Sequence, residues 1–432
     1  MLKAGFARVD VTPPLGNPLH GYFKHRNADG VLDPLYLNAL AVSNEKDTVV
    51  IIVADFIGIT LDEALKIRDM AAKALGIGMD NVIVQALHQH TSVRFGNRGT
   101  GTDQLSDTEY MDIVRRRFCD VAKMAFDDME ECEMSVTFKE TDRPVSFVRR
   151  FRMKDGSVRT NPGCLNPDVE GPLSDADNTV RLVKFEREFK NDIALVNFST
   201  HPDVIGGNKY SADWPGFVRN YVENDLDGVS CIVVNGAQGD VNHIDVTKES
   251  LGKDRERRYA HSQKMARIIT DTVLDIWEEA EFCEGEEISS EIRIINTLTN
   301  TKGIERVEEC KQILEDHYSG KKTISIAMGL GECSRISSLY NETLFQKVPL
   351  TVVKIGDLSL VGFGGEPFTD YATYARAAAP DKFVISMCCT NGYQGYIPSK
   401  SAFDEGGYEA GSSKFTKDVV KLLQDNIKEM LK

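Results

Sequence analysis

Residues 48–90, TVVIIVADFIGITLDEALKIRDMAAKALGIGMDNVIVQALHQH, carry the pattern that decides the fold. TVVIIVADF is a strand-like run of apolar, mostly β-branched residues ended by Asp55, and NVIVQAL is a second such run. Between them Asp62 to Leu75 repeats its apolar residues at helical spacing, and Thr60 with Glu63 is placed as a capping box ahead of it. Strand, helix and strand in that order predict a parallel pair. A sheet of this kind presents ligand-binding groups at the carboxyl ends of its strands, and the second run ends in His88 and His90.

The same ending recurs further along. IALVNFSTH closes on His201, CIVVNGAQGDVNH on Asp240 and His243, LVGFGGEPF on Glu366 and FVISMCCTNGY on Tyr393. Four of the chain's eight histidines thus sit at or just past short apolar runs. Metal- and proton-competent residues in that position in five separate segments predict one converging site and metal-assisted chemistry.

The remaining chain fits the same architecture. TPPLG forces a turn and LYLNALAV reads as a strand; Ser106 and Glu109 repeat the capping-box spacing before a helix from Tyr110 to Met129. Met134 to Asn197 reads as short antiparallel strands, MSVTFKE, SFVRRFRMKDG and TVRLVKFE, punctuated by Asp-Gly, Asn-Pro and Pro-Gly. Helices are expected from Trp214 to about Asn224, from Arg255 to Ala280 and from Thr416 to Leu431, with a strand and two further helices between 284 and 345. No internal repeat or linker composition interrupts this order. The expectation is an α/β fold, a mixed β-sheet core with flanking helices and the metal site at strand ends, with residues 1–432 as a single catalytic domain.

Composition narrows the function. A formal charge of −15 argues against a nucleic-acid footprint and against docking on an anionic membrane. No stretch approaches the roughly 18 apolar residues of a membrane span, and the start has no apolar run of signal-peptide length, so a cytoplasmic location is expected. Nine scattered cysteines without a C-x-x-C pair read as reduced, mostly buried thiols. A small-molecule substrate is the expected partner, and the oligomeric state is left open.

His88 and His90 are separated by one residue, so on an extended strand both rings project to the same face toward one ion. Pro202 holds the His201 segment extended. Glu366, between glycines and a proline in an apolar run, is costly to bury without a cation. Two histidines and a glutamate form a familiar set for catalytic zinc, whose bound water has a pKa of ~7. Tyr393, from the residues alone, reads as a core tyrosine. Asp240 and His243 either orient the nucleophile and donate to a developing oxyanion, or belong to a turn with a satisfied carboxylate. Arg94 and Arg98 follow the histidine pair and Arg149, Arg150 and Arg152 crowd SFVRRFRMKDG; a solvated surface or capture of a substrate carboxylate or phosphate would each account for them.

The ordered set of H-x-H in LHQHTS, STHPDV, GDV, GGEPFTD, NGYQGY and GGYEAGSS resembles the neutral/alkaline, non-lysosomal ceramidase family over nearly the whole chain, in its N-terminal catalytic domain. The resemblance implies one zinc held by His88, His201, Glu366 and Tyr393, with His90 facing the reacting carbonyl. It further implies Arg149 at the pocket and Tyr408 near it. Where the ceramidases carry serine after GDV this chain has Asn242, which leaves the zinc-hydroxide route in place of a serine nucleophile, with Asn242 and His243 toward the substrate. VRFGNRGTG replaces the family's small loop, and no counterpart of the family's C-terminal β-sandwich is expected. The expected activity is zinc-dependent hydrolysis of an amide (N-acyl) bond in a small polar or anionic molecule, with catalysis by His90, Asp240 and Tyr393 and substrate contacts from Arg94, Arg149, Asn242, His243 and Tyr408. Two alternatives are a two-metal phosphoesterase and a non-catalytic metal- or ligand-binding relative.

Overall fold

A computed structural model describes residues 1–96, 107–322, 329–339 and 344–432 of the chain. Arg98 and Ser106 lie outside these residues.

The β-α-β unit predicted from residues 48–90 forms. Thr48–Ala54 and Val82–Ala86 pair in parallel, Val50 opposite Val82 and Ala54 opposite Ala86, with the helix Leu61–Leu75 between them in sequence. Every residue of Val82–Ala86 is buried, as expected for a strand covered on both faces. Two further parallel pairs repeat the arrangement, Asp192–Phe198 with Val229–Asn235 and Leu358–Phe363 with Phe383–Met387.

The first two pairs form the two ends of one nine-stranded sheet. Its order runs Val229–Asn235, Asp192–Phe198, Thr179–Arg187, Glu130–Glu140, Lys3–Asp10, Tyr36–Ser43, Thr48–Ala54 and Val82–Ala86, with Glu281–Phe282 paired to Glu130–Glu140. The third pair belongs to a four-stranded sheet of Ile288–Leu298, Phe345–Ile355, Leu358–Phe363 and Phe383–Met387. Alternation along each strand sends Ile51 and Val53 into an interior shared with Leu195, Ile232, Leu360 and Ile385, while Val50 and Ile52 turn outward beneath helices.

Helices close the outer faces. Leu61–Leu75 and Thr108–Asp127 cover one end of the large sheet through Ile67, Ala71, Phe118 and Val121. Asp213–Asp225 and Arg255–Ile276 cover the other end, and Thr369–Ala378 and Asp418–Met430 cover the small sheet. No helix of the described residues is long and apolar enough to cross a membrane.

Local capping differs from the sequence expectation. Thr60 does precede the first helix, yet its side chain makes no capping bond; the reciprocal bond is absent too, since the Thr60 amide donates to the Phe95 carbonyl and the Glu63 carboxylate is taken by Arg115 at 2.7 Å and Lys66 at 3.0 Å. The second helix is capped by Asp107, whose side chain accepts from the Tyr110 amide.

The three parallel edges are brought together by buried amides. Gln85 donates to the carbonyls of Asn235 and Cys388, Asn197 donates to those of Val234 and Ser386, and the Cys388 amide donates to Asn235 at 2.9 Å. Low-dielectric surroundings strengthen such bonds and penalise any unpaired member, so the strand ends are locked in one arrangement. It is this junction that gathers the five loops.

Candidate metal centre

The first ligand candidate leaves its strand sharply. His88 has φ +80°, a left-handed conformation that a β-branched or bulky side chain rarely adopts and that stores roughly 1–3 kcal/mol. The rings of His88 and His90 therefore meet edge to face at 5.1 Å through this kink, where the sequence reading had them converge by strand alternation. Cys389 and Asn391, before Tyr393, are also left-handed.

His88 Nδ1 donates to the Ile57 carbonyl at 2.6 Å, and His201 Nδ1 donates to the Gln238 carbonyl at 2.8 Å. With Nδ1 of each ring directed to a carbonyl, both Nε2 atoms are turned inward. What they face is an anion: Glu366 Oε2 lies 3.0 Å from His201 Nε2 and 3.3 Å from His88 Nε2, and this buried oxygen has no hydrogen-bond donor. All three side chains are at most 2% exposed.

Burial would raise the Glu366 pKa, but His88, His201 and Arg149 outweigh it and hold the carboxyl well below the usual range. Burial likewise lowers His88 to about 4, against the pull of Glu366, so that imidazole is neutral at physiological pH. A buried carboxylate oxygen without a donor, set between two imidazole nitrogens, is an arrangement in which a divalent cation would make every contact favourable. The nitrogens of His88, His90 and His201 also lie within 4.8 Å of one another. The donor set therefore fits a metal ion.

Tyr393 donates its hydroxyl to Glu366 Oε1 at 2.7 Å, which places the phenol beside the cluster. His90 has neither ring nitrogen hydrogen-bonded, and its Nδ1 is 3.7 Å from Asp203. A cavity of about 190 Å³ opens here, lined by His88, His90, Glu366, Tyr393, Arg94 and Tyr408. Its wall also carries Lys24, Arg335 and Lys414, and among the described residues Glu366 is its only carboxylate. The helices Val307–Tyr318 and Leu330–Leu339 supply one side, through Tyr318, Ser334 and Ser338.

Other residues singled out from the sequence lie elsewhere. Arg149 is off the cavity wall, behind His201, where Nη1 is 3.3 Å from its Nε2 while the guanidinium donates to Glu409 and the Gly239 carbonyl. Asp240 accepts from Ser174, and from the amide and hydroxyl of Thr369. Asn242 donates to Asn161 at 2.8 Å and accepts from the Ile244 amide. His243 lines a different cavity. Arg149, Asp240 and Asn242 are held by partners distant in sequence, a kind of contact that strand-end position does not report.

The sequence reading passed over Tyr22, which packs 5.2 Å from His90 and donates to Asp203, and Tyr396, beside Arg149 and Tyr408. Tyr22 stands in HGYFKH, a loop without strand periodicity; the histidines on either side, which also line the cavity, were the available signal. Gly21, at φ +105°, allows this approach, since a Cβ there would lie 2.6 Å from His90 Nδ1.

The superposition of the whole chain on solved structures decides the fold's kinship. It aligns with the neutral ceramidase of Pseudomonas aeruginosa at a TM-score of 0.77 and 14% identity, covering 100% of this chain and 74% of that one. The chain has the neutral ceramidase fold. A second structure, of a ceramidase complexed with C2, aligns at a TM-score of 0.76 and 15% identity over the same shares. No protein-family profile and no curated protein sequence matches the chain. The likeness to neutral ceramidase is thus one of fold, carried on a largely different sequence.

Proposed function

We propose that residues 1–432 form one catalytic unit, a zinc-dependent hydrolase that cleaves an amide (N-acyl) bond in a small anionic molecule. The observation that carries the metal is Glu366 Oε2, without a hydrogen-bond donor, set 3.3 Å from His88 Nε2 and 3.0 Å from His201 Nε2. When bound, zinc supplies a Lewis acid and a water whose pKa falls to ~7.

The chain's own residues do the rest. His88, His201 and Glu366 hold the ion, and Tyr393, hydrogen-bonded to Glu366, completes the set. His90 has its nitrogens uncommitted beside them and is placed to donate to a developing oxyanion, a contribution of about 3 kcal/mol for one good donor. Arg149 adds positive charge behind His201, balanced by Glu409.

The cavity supports the substrate class. At about 190 Å³ it falls below the range of roughly 300–1,000 Å³ typical of drug-sized ligands, and its wall is cationic. A carboxylate-bearing N-acyl compound suits such a site better than a long-chain lipid. The fold's likeness to ceramidases supports amide cleavage.

The test loads the purified chain with zinc, counts metal, and assays short N-acyl amino acids against uncharged N-acyl amines and a fluorescent ceramide. One ion per chain and at least tenfold higher kcat/KM for the anionic amides are expected. Preferred cleavage of ceramide would overturn the substrate class, and full zinc with no cleavage of any amide would favour a non-catalytic relative. Two ions with phosphoester cleavage would favour the phosphoesterase; against it, Asp240, Asn242 and His243 do not join the cluster, and Asp55 is bound by Arg219. His201→Ala is expected to lose both zinc and turnover, and retention of full zinc would remove His201 from the ligand set.

A further inference from the structure

Behind the GDVNH loop lies a second cavity of about 460 Å³ that shares no lining residue with the first. Its walls are chiefly apolar, with Val145, Phe147, Leu251 and Met265 among them. Arg143, Lys248, Arg258 and Lys264 also line it, and none of these cations forms an ion pair among the described residues. Asp245 and Glu249 are the acids of the lining, and the Asp245 carboxylate accepts from the amide and hydroxyl of Thr247. In a chain of charge −15, four unpaired cations around one apolar hollow form a local excess of positive charge.

One polar side chain on the wall lacks a partner. His243 is 5% exposed, and its Nδ1 has no hydrogen bond. Burial lowers its pKa to about 3, which leaves a neutral imidazole able to donate to or accept from a ligand oxygen. A buried polar atom without a partner is costly, and a bound oxygen would relieve that cost. The His261 ring stands 5.9 Å away on the same wall.

We propose that this cavity is a binding site for an organic carboxylate, an apolar body carrying one acid group, with the body against Leu251 and Met265 and the carboxylate toward His243 and the surrounding cations. The volume lies within the usual range for small-molecule sites. Such a site is separate from the amide-cleaving centre and stands whether or not that activity is found.

Decanoate is the probe, titrated calorimetrically into the metal-free full chain, with decylammonium and 1-decanol of the same chain length as comparisons. Saturable binding of one decanoate is expected, at least tenfold tighter than either comparison. Leu251→Trp, which fills the hollow from a loop, and Lys264→Glu, which reverses a cation, are each expected to weaken it at least tenfold, with circular dichroism confirming the fold. Lys24→Glu, on the other cavity, is expected to leave the affinity within twofold. Absence of saturable binding, equal binding of decylammonium, or loss of binding only in Lys24→Glu would overturn the assignment.

Discussion

Tyr393 owes its place to a residue with no side chain. A Cβ on Gly58 would lie 2.8 Å from the Tyr393 ring, and Gly58 itself does not have a left-handed backbone, so Gly58→Ala is tolerable to the chain and intolerable to the phenol. A displacement of about 1 Å in such a centre costs on the order of 10²-fold in rate. We expect Gly58→Ala to lose 10- to 100-fold in kcat while its thermal midpoint shifts little, which steady-state kinetics and calorimetry on the same preparation would check. His243 gives a prediction in pH. Its folded pKa of about 3 lies below the unfolded value of roughly 6.5, so its contribution is fully present above pH 6.5 and is lost as pH falls toward 3. At pH 5 the loss is about 2 kcal/mol. Urea unfolding at pH 7 and pH 5 should show a pH penalty smaller by about that amount in His243→Gln than in the parent chain, and equal penalties would contradict it.

Among the elements, the end of strand Thr48–Ala54 is tied to helix Asp213–Asp225 by Asp55, which accepts two hydrogen bonds from Arg219 at 3.0 and 2.8 Å. The same carboxylate accepts from Gln89, the residue between His88 and His90, so one buried ion pair holds the segment that carries both histidines. Breaking a buried pair on one side leaves an uncompensated charge and costs about 3–5 kcal/mol. Arg219→Met is expected to lose that much stability in urea unfolding and to weaken zinc binding as well, whereas Asp55→Asn with Arg219→Met should recover part of both. The elements themselves were legible in the sequence. The helix expected from Asp62 to Leu75 spans Leu61–Leu75, and the parallel pairing of the two runs around it holds. Apolar period reports such features because it reflects which face of an element is buried. The absence of a capping box at Thr60 was not legible, because the Thr60 amide is taken by the Phe95 carbonyl and Glu63 by Arg115 from another helix.

For the molecule as a whole, the cation proposed to sit among His88, His201 and Glu366 would bind only the folded chain, since the three side chains come from distant segments. Zinc at a hundred times its dissociation constant should therefore stabilise the chain by about 2.7 kcal/mol, seen as a rise in thermal midpoint that His201→Ala lacks. An equal rise in both proteins would place the ion elsewhere. The sequence by itself determined the class of fold, the strand ends and the residue types that stand at them, since burial patterns and turn residues are local properties of the chain. Tertiary structure decided which of those residues meet. It set Glu366 between two imidazoles, turned Asp240 onto Thr369 and Arg149 onto Glu409, and sent His243 to another cavity. The physical reason is that a buried polar group takes whichever partner the folded chain brings within hydrogen-bond reach, and that partner comes from a distant segment whose approach no local pattern encodes.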